Sequence, residues 1–426
     1  MDVMKTTRFL ICSLLGLMLF SSQTFANKIL IYMDREQTNH LKAYGVAFWT
    51  LKQNRPVEWL LNYRGGSFLM DEFEGIKNLC ALRGVAATTI DAGDEALIRA
   101  TIEENNMESV LLEKAPAVAI YSPPNNEPWD DAVTLALQYA EIEYKTLWDP
   151  EVLDGKLEEY DWLHLHHEDF TGQYGRFYNS FRNTLWYQQE VAANEQTART
   201  LGYRKVSEMK RDVVLAVEDF VARGGFMFSM CSAPETFDIM LAAQNTDIVP
   251  REFDGDAIDP NFASKLDFSK CMAFENFTLS VNPLEYKHSD IDTYPDRQQF
   301  APVPDLDYFQ LFDFSAKLDP VPTMLVQDHV GMVKGFMGQS TAFRKSLVKK
   351  FVTILAEVDG QDEARYIHGN YGKGTFTFLG GHDPEDYQHM VGDPPTQLEL
   401  YKDSPGYRLI LNNILFPAAK KKERKT

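Results

Sequence analysis

Four short strand-like runs, separated by stretches long enough for a helix, limit what this chain can fold into. Ala117–Tyr121 (AVAIY) is apolar throughout, as suits a strand buried on both faces. Tyr144–Trp148, Tyr160–His166 and Phe226–Met230 follow it. Between them, Trp129–Ile142 and Ser207–Arg223 repeat apolar residues at helical spacing; Val213, Val214, Val217, Phe220 and Val221 mark one face. Strands that alternate with helices of this length pair in parallel, which predicts an α/β chain with a doubly wound sheet.

Weaker versions of the pattern flank this core. Lys28–Asp34, Val57–Asn62 and Ala86–Ile90 read as strands, and His40–Gln53, Glu72–Leu82 and Glu95–Asn106 as helices. They make a smaller N-terminal α/β unit over residues 27–115, with a turn at Arg64-Gly65-Gly66. Residues 116–417 form the larger domain, with polar, helical Phe177–Tyr203 inserted and a bigger insertion at 245–320. Strands are expected there at Phe277–Val281 and Tyr308–Phe312. The α/β pattern resumes at Thr323–Gln327 and Phe351–Glu357. A hairpin of Ala364–His368 and Thr375–Leu379 and a closing helix, Tyr407–Leu415, complete it. Residues 418–426 are a basic tail.

Residues 1–26 read as a secretory leader. Lys5 and Arg8 precede the apolar run Phe9–Phe20, and Thr24-Phe25-Ala26 ends in a small-residue cleavage pattern. The run is shorter than the roughly 20 residues of a membrane span. The expectation is an exported protein, periplasmic or secreted, with no membrane span. A formal net charge of −20 argues against a nucleic-acid surface, which needs Lys and Arg to displace counterions. Beyond the leader remain Cys80, Cys231 and Cys271, an odd number that leaves at least one thiol unpaired. Spacing gives no support to a Cys80–Cys271 disulfide.

Cys231 is the cysteine whose setting carries chemistry. A helix, Gly224-Gly225, the apolar run Phe226–Met230, Cys231 and a helix beginning near Pro234 describe a nucleophile elbow. Such a turn lifts the thiol above the sheet edge, where the next helix supplies backbone N–H donors. His382 also stands just past a strand, and Glu385 is near enough in sequence to orient its imidazole. Nucleophile, base and carboxylate would be Cys231, His382 and Glu385. The competing reading of Cys231 is a buried thiol packed as a small hydrophobe.

His166, His167, Glu168 and Asp169 close the Tyr160–His166 run and would line a substrate pocket, with Ser232 at the elbow. His164 and His166 share a strand face and have the spacing to hold Zn²⁺ with Glu168 or Asp169. Hydrogen-bonded rim residues are the reading adopted, so neither metal nor cofactor is expected. Asp254-Gly255-Asp256 with Asp259 lacks the EF-hand spacing and reads as an acidic turn. Arg64-Gly65-Gly66-Ser67 lacks the Lys-Ser/Thr of a phosphate loop. Trp148, Trp162, Tyr174, Phe177 and Tyr178 either stack on a sugar or peptide, or pack internally.

Phe220–Gly225 through Cys231-Ser232-Ala233 resembles the nucleophile segment of class I glutamine-amidotransferase-like domains. His382-Asp383-Pro384-Glu385 resembles their His-Pro-Glu region, and Gly374–Gly381 the strand and double glycine before it. The resemblance covers roughly Ala117–Leu415. It implies a flavodoxin-like sheet, Cys231, His382 and Glu385 in triad positions, and the His166–Asp169 strand end on the site's rim. Ser229 and Ala233 stand where the family's elbow has glycine, and Asp383 is one residue extra. Over its whole length the chain also resembles exported bacterial proteins that go by the name asparagine synthetase B. The residues do not carry that activity: Asp2, or Asn27 after cleavage, stands where an N-terminal cysteine is required. No Ser-Gly-Gly-x-Asp-Ser loop for ATP is present.

The expectation is a cysteine hydrolase acting on an amide or acyl bond. The alternative is a noncatalytic envelope protein that binds a small molecule, peptide or glycan.

Overall fold

The computed structural model describes residues 27–124, 131–293, 307–336, 342–386 and 394–419. The expected leader, residues 1–26, and most of the basic tail lie outside them. The N-terminal unit runs β1 (Lys28–Ile31), α1 (His40–Lys52), β2 (Val57–Leu61), β3 (Ser67–Asp71), α2 (Ile76–Leu82), β4 (Thr88–Ile90), α3 (Ala92–Glu104) and β5 (Glu108–Leu112). Its sheet has the order β4-β1-β3-β2-β5 and is antiparallel throughout. Sequence reading lacked β3 and β5. Ser67–Asp71 follows so closely on the turn at Gly65 and Gly66, both at positive φ, that it forms the second arm of a hairpin with β2.

The larger domain runs β6 (Val118–Tyr121), α4 (Ala132–Ala140), β7 (Lys145–Leu147), β8 (Trp162–Leu165), α5 (Leu185–Thr200), α6 (Val206–Arg223), β9 (Phe226–Met230) and α7 (Ala233–Ala242). It continues with β10 (Tyr308–Leu311), β11 (Met332–Lys334), β12 (Phe343–Arg344), β13 (Thr353–Glu357), β14 (Glu363–Tyr371), β15 (Gly374–Leu379) and α8 (Pro405–Leu415). These strands build one 10-stranded sheet. Strands β7-β6-β8-β9-β15 are mutually parallel; β14, β13, β10 and β11 extend the sheet antiparallel, and β12 pairs with β14. The chain is thus mixed α/β, as its pattern predicts. Among the described residues no helix is long and apolar enough to cross a membrane.

Along the parallel strands, successive side chains feed opposite cores. Val118, Ile120, Phe228 and Met230 pack with α1, α4 and α8, whereas Ala119, Tyr121, Leu163, Leu165 and Met227 pack with α6 and α7. With both faces covered, the free edge for ligands is the rim at the strands' carboxyl ends, where β6 and β8 diverge in winding. Gly224 closes α6 with φ +129, and its N–H returns to Val221 O, setting the chain into β9. Within the large insertion, Phe277–Val281 contributes only an isolated bridge, Leu279 to Ser289, and Thr323–Gln327 begins inside the short helix Pro320–Leu325.

Candidate functional site

Three segments meet at the rim: the residues after β8, β9 and β15. Cys231, first after β9, has φ +53, a left-handed backbone that costs a side-chain-bearing residue about 1–2 kcal/mol. Its N–H donates to Gly381 O at 3.0 Å, which ties the elbow to the β15 exit. Gly381 has φ +99, and a Cβ there would stand 2.8 Å from Phe336 Cβ, so glycine is required to aim His382. Ser229 and Ala233, two residues either side of Cys231, are fully buried.

None of Cys80, Cys231 and Cys271 is in a disulfide, and their surroundings differ. Cys80 and Cys271 belong to separate hydrophobic cores, and Cys231, though only 4% exposed, belongs to none of the cores. Burial pushes the Cys80 thiol up to about 11 and raises Cys271 as well. At the start of α7, Ala233 N–H donates to His166 O at 3.0 Å and Ser232 Oγ donates to His167 O at 3.0 Å. Among the described residues, Ser232 N–H meets no backbone acceptor.

His166, His167 and His382 bring one ring nitrogen each to within 4.8 Å of one another. The His166 and His382 rings meet edge to face at 4.6 Å between centroids, and His167 stacks on His382 at 6.5 Å. His166 is 1% exposed, and neither of its ring nitrogens has a hydrogen-bond partner. Burial drives its imidazole well below the usual range, with the neighbouring imidazoles adding to the effect and Asp131 opposing it.

Behind the cluster stands Asp131, which sequence reading missed. As N-cap of α4 it accepts from Val133 N at 2.7 Å and Thr134 N at 3.1 Å. Its other oxygen lies 3.2 Å from His164 Nε2, and Oδ1 lies 3.8 Å from His166 Nδ1. Burial alone would raise the Asp131 carboxyl, but His164 and His166 hold it well below the ordinary carboxylate range. An acidic residue before an apolar helical run signals a cap, and nothing local revealed that the cap also faces β8. His164 turns its other nitrogen to Phe228 O at 3.1 Å.

Glu385 reaches a different partner. Its carboxylate accepts from Ser404 Oγ, and burial raises its pKa. Asp383 ties down the same loop, accepting from Glu385 N at 2.8 Å, Tyr407 OH at 2.7 Å and Thr396 Oγ1 at 2.9 Å.

Beside His167 opens a cavity of about 410 Å³, walled by Trp148, Tyr174 and Trp186 and carrying Glu168, Glu190 and Lys210. Burial raises both Glu168 and Glu190, and Glu168 Oε2 has no hydrogen-bond partner. Lys210 is spent on Asp149, 2.9 Å from its Oδ2. The lining therefore suits an uncharged polar ligand better than an anion. Asp169 shapes the wall: it accepts from Thr171 N at 2.7 Å, Gly175 N at 2.9 Å and His288 Nε2 at 3.0 Å. Of the expected aromatics, Trp148 and Tyr174 line the cavity, whereas Trp162 is wholly buried in the core. The acidic turn at Asp254 and Asp256 folds around Lys205, whose ammonium lies 2.9 Å from Asp254 and 2.6 Å from Asp247.

No protein-family model and no curated protein sequence matches the chain. Among solved structures, Cytoplasmic Protein STM3548 from Salmonella typhimurium aligns with 72% of this chain and 100% of its own, at 10% identity and TM-score 0.34. Cytoplasmic Protein STM1381 from Salmonella typhimurium LT2 aligns with 71% of this chain and 99% of its own, at 11% identity and TM-score 0.35. Gan42B, a GH42 beta-galactosidase, aligns with 63% of this chain and 28% of its own, at 11% identity and TM-score 0.27.

Proposed function

We propose that this chain is an exported hydrolase that cleaves an amide or related acyl bond through Cys231. The observation that carries the proposal is the left-handed backbone of Cys231 at the carboxyl end of β9, outside every hydrophobic core. Backbone strain of this kind persists where the surroundings enforce it, and it clusters at catalytic positions. The motif resemblance to class I glutamine-amidotransferase-like domains supports the same reading.

In this mechanism His382 takes the thiol proton as Sγ attacks the substrate carbonyl carbon. The oxyanion forms against Ser232 N–H. The leaving group departs with the proton from His382, and water then hydrolyses the thioester to free acid and thiol. Glu385, fastened to Ser404, holds the loop that presents His382. The cavity beside His167 receives the uncharged part of the substrate.

The test is incubation of the full chain with a panel of activated acyl esters and amides. An acyl adduct on the Cys231 peptide, with turnover falling on the order of 10⁴-fold in Cys231→Ala, is the expected result. Turnover unchanged in Cys231→Ala would end the proposal. A ligand held in the aromatic cavity without turnover would favour the noncatalytic binding protein instead.

A further inference from the structure

We infer that His166, His167 and His382 form a binding site for a zinc-class divalent cation, with Asp131 as the carboxylate behind it. The three imidazoles arrive from the ends of β8 and β15, the strands on either side of β9, and their nitrogens already lie within 4.8 Å of one another. Zinc bonds imidazole nitrogen at about 2.0–2.1 Å, which sets three tetrahedral donors roughly 3.4 Å apart. Side-chain shifts of under about 1 Å close that difference within ordinary rotamer wells.

Two further observations point to a ligand. His166 is 1% exposed with no partner at either ring nitrogen, and a buried orphan of this kind calls for an unseen one. Asp131 Oδ1 stands on its Nδ1 side at 3.8 Å, fixed there by the α4 cap. A carboxylate behind a histidine orients the opposite nitrogen toward a metal. His167 belongs both to this group and to the cavity lining, which provides an entry path. The acidic group Asp247, Asp254 and Asp256 offers no comparable site, because the Lys205 ammonium already sits among all three carboxylates.

The site stands on its own geometry and does not require the hydrolase reading. Where both hold, a bound ion takes the His382 lone pair that Cys231 needs, so the ion restrains the thiol.

The full chain, stripped by chelator and dialysed, is titrated first with Co²⁺ and then with Zn²⁺. The expected result is one ion per chain, visible Co²⁺ absorption of a low-coordinate site, and loss of that absorption on adding Zn²⁺. His167→Ala and His382→Ala, at partly exposed positions, each weaken binding at least tenfold; Asp131→Asn does so by about 10–100-fold. Asp254→Asn leaves binding unchanged. Zn²⁺ also shields these histidines from ethoxyformylation in the unmutated chain, which requires no variant to fold. Binding that is absent, that ignores the histidine substitutions, or that vanishes in Asp254→Asn overturns the site. A reactive Cys231 without ion binding overturns the site alone, and ion binding with a Cys231 that stays inert after the ion is removed by chelator overturns the hydrolase alone.

Discussion

Two buried polar groups, Arg408 in α8 and His166 at the rim, show opposite ways of placing polarity inside this protein. Arg408 is wholly buried, yet every guanidinium nitrogen is engaged. Nη1 donates to Met33 O at 2.9 Å and faces His329 Nδ1 at 2.9 Å, Nη2 donates to Gly65 O at 2.7 Å, and Nε reaches Tyr44 OH at 3.4 Å. His166 is as deeply buried and has no hydrogen-bond partner at either nitrogen. The first arrangement joins the N-terminal unit to the larger domain. The second leaves lone pairs unspent at the one edge where both α/β faces end. Arg408 is held by its partners at the joint, whereas His166 keeps both ring nitrogens without a hydrogen bond at the rim.

The sharpest way to break this contrast is to remove Arg408. Arg408→Met strands Met33 O and Gly65 O and should cost about 3–5 kcal/mol in denaturant unfolding. A loss below about 1 kcal/mol would mean the joint is held by apolar packing alone.

Acid attacks the same joint. His40 stacks on His329 at 4.5 Å between centroids and faces Arg408; its Nε2 donates to Asp34 O at 2.9 Å. Burial, reinforced by Arg408 and His329, lowers its pKa to about 3. The unfolded chain takes up a proton near pH 6.5 that the folded chain refuses until about pH 3. This stability is therefore complete above pH 6.5 and is lost as pH falls, by about 2 kcal/mol at pH 5. His40→Gln should flatten the slope of stability against pH by about one proton in that window. An unchanged slope would remove His40 from the account.

At the elbow the expected effect is smaller. Cys231→Gly relieves the left-handed backbone and should be more stable than Cys231→Ala by about 1 kcal/mol. Equal stabilities would mean that the turn is unstrained.

How far the sequence could be read follows the same division. The parallel strands, the Gly-Gly exit from α6 and Cys231 at the end of β9 were legible because each rests on local periodicity or turn chemistry. The hairpin Ala364–His368 and Thr375–Leu379 was legible for the same reason. Asp131, Glu190 and Arg408 were not, since their partners lie far along the chain and only the sheet's winding brings them together. The His-rich strand end was visible, but not that its partner is His382 rather than Glu168 or Asp169. Likewise, Asp254 and Asp256 read as an acidic turn because nothing nearby announces Lys205.

Alkylation of the folded chain by iodoacetamide, followed by peptide mapping, decides whether the elbow thiol is reactive. Cys231 should be modified while Cys80 and Cys271, held in hydrophobic cores, stay intact until denaturant is added. His382→Ala should slow the modification about tenfold or more. A Cys231 that reacts only together with the two core thiols, or at a rate indifferent to His382, would contradict the account.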